Sequence, residues 1–467
     1  MTAADMSITG LLHAAIADGK AVVVCGRIDD AAAWRQLLVT IAEQSLVIAL
    51  DEAARIQMAS PVAGATAQLG WQHDAVAGLG GSGWLAEQAD AFDPYGNAVL
   101  LLPDPLDPHH AGSRRRLGRR PAVGRLLEDK TVVDTFWDTI GILRAPSIVA
   151  DLPTDVRALA AAVDAGTGVV CSYQPRGSGP AAGGDGIWWW RTGDPPPPGA
   201  PDQGWGGIRV RMMPMLEGLP VRLHGLVLAD RVVSFPPMEI VTLLRPERGT
   251  FLCAGAVPTI GPDPDLLATT DRIGTGLRTR YGYRGAFSAD GILTADGFRP
   301  TDLNARLTSA MEPAPPETRV RLHAANLLVR HGVEPEANEL EAVVGQAFEQ
   351  RDAYTIYTAA PQLAEGVPRH LRLRWHGRHL AVANGKPADG HLTVTRSHRG
   401  CQLTAQLMVD RLPTPGPLGP LAAEIFRLID RTLGTDFGHL TPHQPPSRPD
   451  TEWTEPPTAP ALWRDSQ

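Results

Sequence analysis

At 467 residues, 43% of them hydrophobic, the chain is long enough for two or three domains with a substantial core. Its formal net charge of −8 argues against a general nucleic-acid binder, whose surface is normally basic. No window is apolar enough for a membrane span, and the start MTAADMSITG lacks the charged and apolar segments of an export signal. Cys25, Cys171, Cys253 and Cys401 occur singly, which suits a reduced cytoplasm and neither a disulfide framework nor a structural zinc site. Basic charge is almost entirely arginine; the only lysines are Lys20, Lys130 and Lys386.

In chain order, KAVVVCGRID (20–29) is a buried-strand pattern ending in a polar turn, AAAWRQLLVTIAEQ (31–44) is helical, and SLVIALD (45–51) is again strand-like. This βαβ rhythm predicts a small parallel sheet carrying helices. No GxGxxG follows the first strand, so a dinucleotide-binding turn is not expected. SRRRLGRR (113–120) reads either as a solvated connection or as an anion site, since arginine forks bind phosphate and carboxylate bidentately. LEDKTVVDTFWDTIG (127–141) predicts one amphipathic helix with an apolar stripe of Val132, Val133, Phe136, Trp137 and Ile140, capped by Gly141. Lys130 would then sit in its first turn, where the helix dipole disfavours a cation unless a phosphate or a nearby carboxylate offsets it.

A helix is expected around 153–165, followed by two strand-like runs around the loop 176–186, which holds five glycines. No helix follows that loop, so it is neither a Walker A turn nor a Rossmann turn. It fits a flap that brings backbone N–H groups to phosphates, or a surface hairpin. Residues 192–207 are a proline-rich excursion. Strands resume over 208–235, broken at Glu217–Gly218; in VRLHG, His224 alternates away from Val221 and Leu223, as a polar-face residue or a substrate contact. A helix over 263–281 leads to two extended runs, 285–294 and 298–306, joined by a turn at ADG. With a three-residue loop, Asp290 lies opposite Asp302, while Asp302, Asn304 and Arg306 share one face. Two carboxylates so opposed, roughly 5 Å apart at Cβ, repel and require positive charge between them. A helix over 317–332 follows. From about 337 the pattern restarts as an α+β unit, with helices at 338–350 and 418–434 and strands around 370–383 and 391–408. The tail 443–467 is expected to lack structure.

These residues resemble the ATP-grasp family of carboxylate–amine ligases. The resemblance covers about residues 110–330: LEDK bearing a phosphate-binding lysine, a glycine-rich flap, MPMLEGLP, and acidic–(eleven residues)–acidic–x–Asn–x–Arg. It implies an ATP-grasp fold of mixed α/β and α+β character. A small Rossmann-like pre-domain (1–125) would precede the ATP-grasp domain (126–335), with an α+β domain (336–442) and a flexible tail (443–467) after it. The small flanking domains are similar, more loosely, to those of the ATP-grasp peptide ligase of pheganomycin biosynthesis. By resemblance, Asp290, Asp302 and Asn304 hold two Mg²⁺ ions on ATP, and oxygen-only ligands favour that metal over zinc. Lys130 touches the α-phosphate and Glu217 lies near adenine or ribose. Ser178, Gly179, Gly183 and Gly184 belong to the phosphate lid, and Arg306, with Arg284, acts on the acceptor carboxylate or acyl-phosphate. Such enzymes usually carry a second lysine on the strand before the flap; VVCSYQ has none, and Arg176 is the expected substitute. The implied reaction joins a carboxylate to an amine through an acyl-phosphate, with small-molecule partners and neither nucleic acid nor membrane. A kinase on the same fold, or a nucleotide binder without catalysis, are the alternatives. Oligomeric state, a homodimer included, is not set by these residues.

Overall fold

The computed structural model describes residues 6–17, 19–50, 76, 79, 83–106, 114–152, 154–174, 186–200, 208–261, 263–348, 353–360, 363, 369–377, 379–383, 388–397, 400–412 and 416–443. The architecture is mixed α/β. It opens with α1 (Ile8–Ala15), β1 (Lys20–Cys25), α2 (Ile28–Leu38), β2 (Gln44–Ala49), α3 (Trp84–Phe92), β3 (Val99–Leu101) and β4 (Arg116–Leu117). These strands form a parallel sheet in the order β2-β1-β3-β4. The valines of β1 are buried, as the centre of a sheet with covered faces requires.

The chain continues through α4 (Ala122–Leu127), α5 (Val133–Thr139), β5 (Ile148–Asp151), α6 (Val156–Val163), β6 (Val169–Gln174), β7 (Ile187–Trp190), β8 (Arg209–Pro214) and β9 (Leu219–Val227). Next come β10 (Val232–Ser234), β11 (Met238–Arg245), β12 (Thr250–Val257), α7 (Pro264–Tyr281), β13 (Gly285–Thr294) and β14 (Gly297–Asn304). The last elements are α8 (Pro316–Arg330), α9 (Ala337–Phe348), β15 (Ala353–Ala360), β16 (Arg369–Trp375), β17 (Leu380–Val382), β18 (Gly390–Ser397), β19 (Gly400–Met408), α10 (Gly419–Leu433) and β20 (Thr441–Pro442). An antiparallel sheet runs β14-β13-β9-β11-β12-β7-β6-β8-β5, its two halves meeting where Thr250 pairs with Trp188. A third sheet, β15-β19-β18-β16-β17, lies near the C-terminus.

Side-chain alternation sets the faces of the β14-β13-β9 region. Val221, Leu223, Phe287, Ala289 and Leu303 pack with Phe136 and Trp137 of α5 and Ile273 and Leu277 of α7. The opposite face carries Arg222, Asp290 and Asp302. Packing does not follow the pattern restart at 337. Leu340, Val343 and Ala347 of α9 join α8 in the core of the N-terminal sheet, whereas α10 packs with β11, β12 and the third sheet.

The helix expected over 127–141 forms only as α5, Val133–Thr139, and α4 ends at Leu127 where the expected helix would begin. Asp129 accepts from the backbone N–H and hydroxyl of Thr131, a local turn that competes with helix, and α5 begins only at Val133. Lys130 therefore sits in the joint rather than on a first helical turn, and the dipole conflict does not arise. Gly141, at φ +68°, does end α5, with Ile142 N–H donating back to the Trp137 carbonyl.

One buried ion pair ties the N-terminal sheet to the hairpin region. Asp104, just past β3, accepts from both terminal nitrogens of Arg330 at 2.9 Å, from the Asn326 amide at 2.9 Å and from Leu307 N–H at 2.8 Å. Neither side chain of the pair reaches solvent. Burial alone raises the Asp104 carboxyl pKa. The charge and hydrogen bonds of Arg330, the charge of Arg120 and the Leu307 N–H outweigh it and hold the group below the usual carboxylate range. Asp104→Ala should cost about 3–5 kcal/mol in urea unfolding by stranding Arg330, and adding Arg330→Met should recover much of it. Because the folded pKa is depressed, the stabilisation is present above about pH 4 and lost as pH falls through the folded pKa. The wild type's loss of stability on acidification should be shallower in Asp104→Asn.

Candidate active site

β13 and β14 are joined by the two residues Ala295 and Asp296, with Thr294 paired to Gly297. A register shift between Asp290 and Gly291 makes Thr301 an extra, bulged residue on β14. Asp290 therefore does face Asp302, through a shorter turn plus a bulge instead of a three-residue loop. On its other side Asp290 faces Arg222 of β9, so Arg222, Asp290 and Asp302 form one cross-strand row.

The positive charge that the carboxylates require comes from two other elements. Arg222 grips Asp290 with a bidentate fork, Nε to Oδ1 at 2.6 Å and Nη2 to Oδ2 at 2.7 Å, and its Nη1 donates to the Thr308 hydroxyl. Burial would lower the Arg222 pKa, but Asp290 raises it further, so this cation is permanent. Lys130 reaches from the α4–α5 joint to Asp302 Oδ2 at 2.7 Å. Asp302 Oδ1 is buried without a hydrogen-bond partner, as is the hydroxyl of Ser288, which stands opposite Asn304 in the next row.

Asn304 is buried, and its Oδ1 accepts from Arg306 Nη2 at 2.7 Å. Arg306 also lies 3.3 Å from Glu128, a residue that sequence reasoning passed over as part of LEDK. Glu128 is a buried hub: it accepts from Ala305 N–H at 3.0 Å and pairs with Arg120. No sequence signal marks it, because Ala305 stands 177 positions away along the chain. Arg211 of β8, opposite Ser172 of β6, bonds Asp134 and the Thr301 carbonyl, so a cation from the smaller half of the sheet reaches the hairpin.

Asp290, Asp302, Asn304, Arg306 and Lys130 are thus brought together. Arg284 is not among them. It lies before β13, six residues and roughly 20 Å of strand from Asp290, and donates to the carbonyls of Tyr283 and Ala229. Glu217 is exposed in the β8–β9 connection, beside the turn end of the hairpin, where Leu219 pairs with Leu293. Arg176, Ser178, Gly179, Gly183 and Gly184 lie outside the described residues. His224 is no substrate contact: it is buried between Phe235 and Phe348, donates Nε2–H to the Pro236 carbonyl, and burial pushes its pKa down to about 3.

Among the described residues no three His, Cys, Asp or Glu side chains are grouped to hold a metal. The set here is two carboxylates, an amide and a hydroxyl, all hard oxygens, with one carboxylate oxygen left over. That donor set fits Mg²⁺, which takes few protein ligands and completes its shell from phosphate and water.

No protein-family model matches the chain, and no curated protein sequence matches it. Solved structures align over most of its length. N5-carboxyaminoimidazole ribonucleotide synthetase from Thermus thermophilus is 13% identical, over 89% of this chain and 99% of its own, with a TM-score of 0.46. Phosphoribosylamine–glycine ligase from Thermotoga maritima is 16% identical, over 92% and 100%, at 0.47. The carboxyaminoimidazole ribonucleotide synthase of Aspergillus clavatus, complexed with ATP, is 13% identical, over 88% and 98%, also at 0.47. With TM-scores under 0.5, these likenesses carry no weight for the chemistry of this chain.

Removing Arg222 should expose the carboxylate repulsion. Arg222→Gln is expected to lower stability in metal-free buffer by about 3–5 kcal/mol in denaturant titration, with Mg²⁺ restoring part of the loss. Mg²⁺ that stabilises the variant no more than the wild type would detach the carboxylate row from metal binding.

Proposed function

We propose that the protein is an ATP-dependent carboxylate–amine ligase of the ATP-grasp type. The observation that carries this reading is the opposed pair Asp290–Asp302, followed at once by Asn304 and Arg306 and met by Lys130. Such a row has little use in a structural sheet and suits the binding of a metal–triphosphate.

In this reading Asp302, Asn304 and Asp290 would hold Mg²⁺, which would supply charge neutralisation at the phosphate oxygens. Arg222 holds Asp290 in place through its bidentate fork. Lys130, tethered to Asp302 through a single oxygen, turns to a phosphate oxygen when nucleotide binds. Arg306, steadied by Glu128 and Asn304, orients the carboxylate that attacks the γ-phosphorus. ADP leaves, an amine attacks the acyl-phosphate carbonyl, and phosphate departs. The protein's contribution is positioning and charge neutralisation. The finer proposal is an amino-acid donor and a peptide or amide product of natural-product type, formed in the cytoplasm, as in the pheganomycin peptide ligase that the flanking domains resemble. Two Mg²⁺ ions, Glu217 at the nucleoside and 176–186 as the phosphate lid belong to the same proposal.

Screening pairs of amino acids for ADP release, with mass spectrometry of products, tests the reaction. Hydroxylamine in place of the amine should trap the donor as a hydroxamate; a stable phosphate ester from a single substrate would instead mark a kinase. Asp302→Asn should abolish turnover in a folded protein. Lys130→Ala should weaken nucleotide use by about 1.5–3 kcal/mol, read from kcat/KM for ATP, the range for a lost charge-assisted hydrogen bond. ATP kinetics left intact by that substitution would make Lys130 a purely structural partner of Asp302.

A further inference from the structure

One face of the third sheet packs into the core: Ile356, Leu373, Leu392, Leu403 and Ala405 pack with α10, β11 and β12. Alternation turns their neighbours to the opposite, outward face, where register sets two cross-strand rows. One row runs Tyr357 on β15, Thr404 on β19, Thr393 on β18 and His370 on β16. The other runs Thr355, Gln406, His391 and Arg372 in the same strand order. Nδ1 of His370 lies 3.2 Å from the Thr393 hydroxyl, and the rings of His370 and His391 stack with centroids 5.0 Å apart. Nδ1 of His391 is buried without a hydrogen-bond partner. Arg374, two residues beyond Arg372 and opposite Ala381, adds a second guanidinium to this face. Among the described residues neither arginine has an ion-pair partner. Asp389, at the start of β18, gives its carboxylate to the Trp375 N–H at 2.8 Å instead. In a chain whose net charge is −8, this end of the sheet is basic and uncompensated.

The other end of the same rows meets the candidate active site. The Tyr357 ring lies against Gly255 of β12, where φ is +110° and a Cβ would stand 2.9 Å from the ring. Its hydroxyl donates to the Ser309 carbonyl at 3.3 Å, and the preceding residue, Thr308, receives Arg222 Nη1 at 3.1 Å. The outward face of the third sheet is therefore joined, across β12, to the face that carries Arg222 and Asp290. Strands stand about 4.8 Å apart, so His370 is about 15 Å from Tyr357 along its row. Hydroxyl and amide groups occupy the interval, and the cations are gathered at the far end.

We infer that this face receives one of the two substrates, an elongated molecule that reacts at the Asp290–Asp302 row and carries an anion at its far end. Arg372, with His370 and His391, holds that anion, a carboxylate or a phosphate. The inference rests on the ligase reading for the substrate's fate and deepens it by naming the substrate's class. A guanidinium fork recognises either oxyanion, and the unpartnered His391 nitrogen lies in the same row. Thr393, Thr404 and Gln406 pair with polar groups along the middle of the molecule. Length and terminal charge are thus read together, because a short substrate cannot reach both ends of a row about 15 Å long.

The test uses the full chain saturated with MgADP, titrated calorimetrically at constant ionic strength. The probes are glycine and a soluble pentapeptide of glycine and serine, which spans about 17 Å when extended. The pentapeptide is supplied with a terminal carboxylate, a terminal phosphate ester or a neutral carboxamide. At least one of the two anionic chains should bind saturably, at least tenfold more tightly than glycine and than the carboxamide. Preference between them assigns the substrate's end group as carboxylate or phosphate. Arg372→Gln should weaken that binding at least tenfold while MgADP affinity and the thermal midpoint stay unchanged, because this side chain has no internal partner to lose. The inference is overturned if neither anionic chain binds saturably, if length or terminal charge confers no advantage, or if Arg372→Gln binds as the wild type does. A lowered midpoint in Arg372→Gln would also overturn it, by assigning the arginine to the fold. Failure of MgADP to bind in the same calorimeter would count against the ligase reading alone; the series then proceeds on nucleotide-free protein with the same criteria.

Discussion

Two carboxylates face each other across β13 and β14, and neither the hairpin nor its surroundings can be understood apart from that opposition. At about 5 Å and an effective dielectric near 20, two unit charges repel by roughly 3 kcal/mol. A two-stranded hairpin is marginal by itself and cannot absorb such a penalty. The fold answers with cations from outside the hairpin, Arg222 from the neighbouring strand and Lys130 from the α4–α5 joint. The Asp290–Asp302 row therefore depends on β9 and the joint being in place. The two cations differ in kind. Arg222 uses both oxygens of its carboxylate and is nearly immobile, whereas Lys130 holds one oxygen of Asp302 through a flexible stem and leaves the other without a partner.

Around that row, a second set of carboxylates fixes the backbone just beyond it. Glu128 takes the N–H of Ala305 and Asp104 takes the N–H of Leu307, so alternate amides after Asn304 are held by acids from two separate parts of the chain. Arg330 and the Tyr283 hydroxyl both donate to the Ala305 carbonyl, while Asn326 joins Asp104 on one side and Ala286 N–H on the other. The consequence for Arg306 is mechanical. Its backbone lies between two pinned amides, so its guanidinium is confined to the neighbourhood of Asn304 and Glu128.

The same polar connections relate the N-terminal sheet to the site. Asp104 lies just past a strand of that sheet, yet its partners belong to α8 and to the segment after β14. Val320, Leu327 and Leu328 of α8 share an apolar core with Val23, Trp34 and Leu101, so the acidic clamp and the hydrophobic packing act on one helix. A buried ion pair contributes little net stability compared with an apolar substitute, but breaking half of it is costly. Such a contact specifies how the N-terminal sheet docks on the hairpin more than it strengthens the docking.

What the sequence determined was local. Alternation in VRLHG and FSADG gave the faces of β9 and β13, and the ADG turn signal gave the hairpin, because these depend on neighbours one or two residues apart. The pairing of Asp290 with Asp302 followed from parity, although the turn and the Thr301 bulge that produce it were not foreseen; a shorter turn and an extra residue cancel in the count. Lys130 was misplaced onto a helix because the Asx turn of Asp129 competes with helix through side-chain hydrogen bonds that apolar periodicity does not register. His224 alternates as a polar-face residue, and only the arrival of Phe348 from α9 makes its surroundings dry. Arg222, Glu128 and Asp104 were invisible as site residues. Their partners stand 68, 177 and more than 200 positions away, and the charge complementarity that selects them exists only once tertiary packing has removed water from between them.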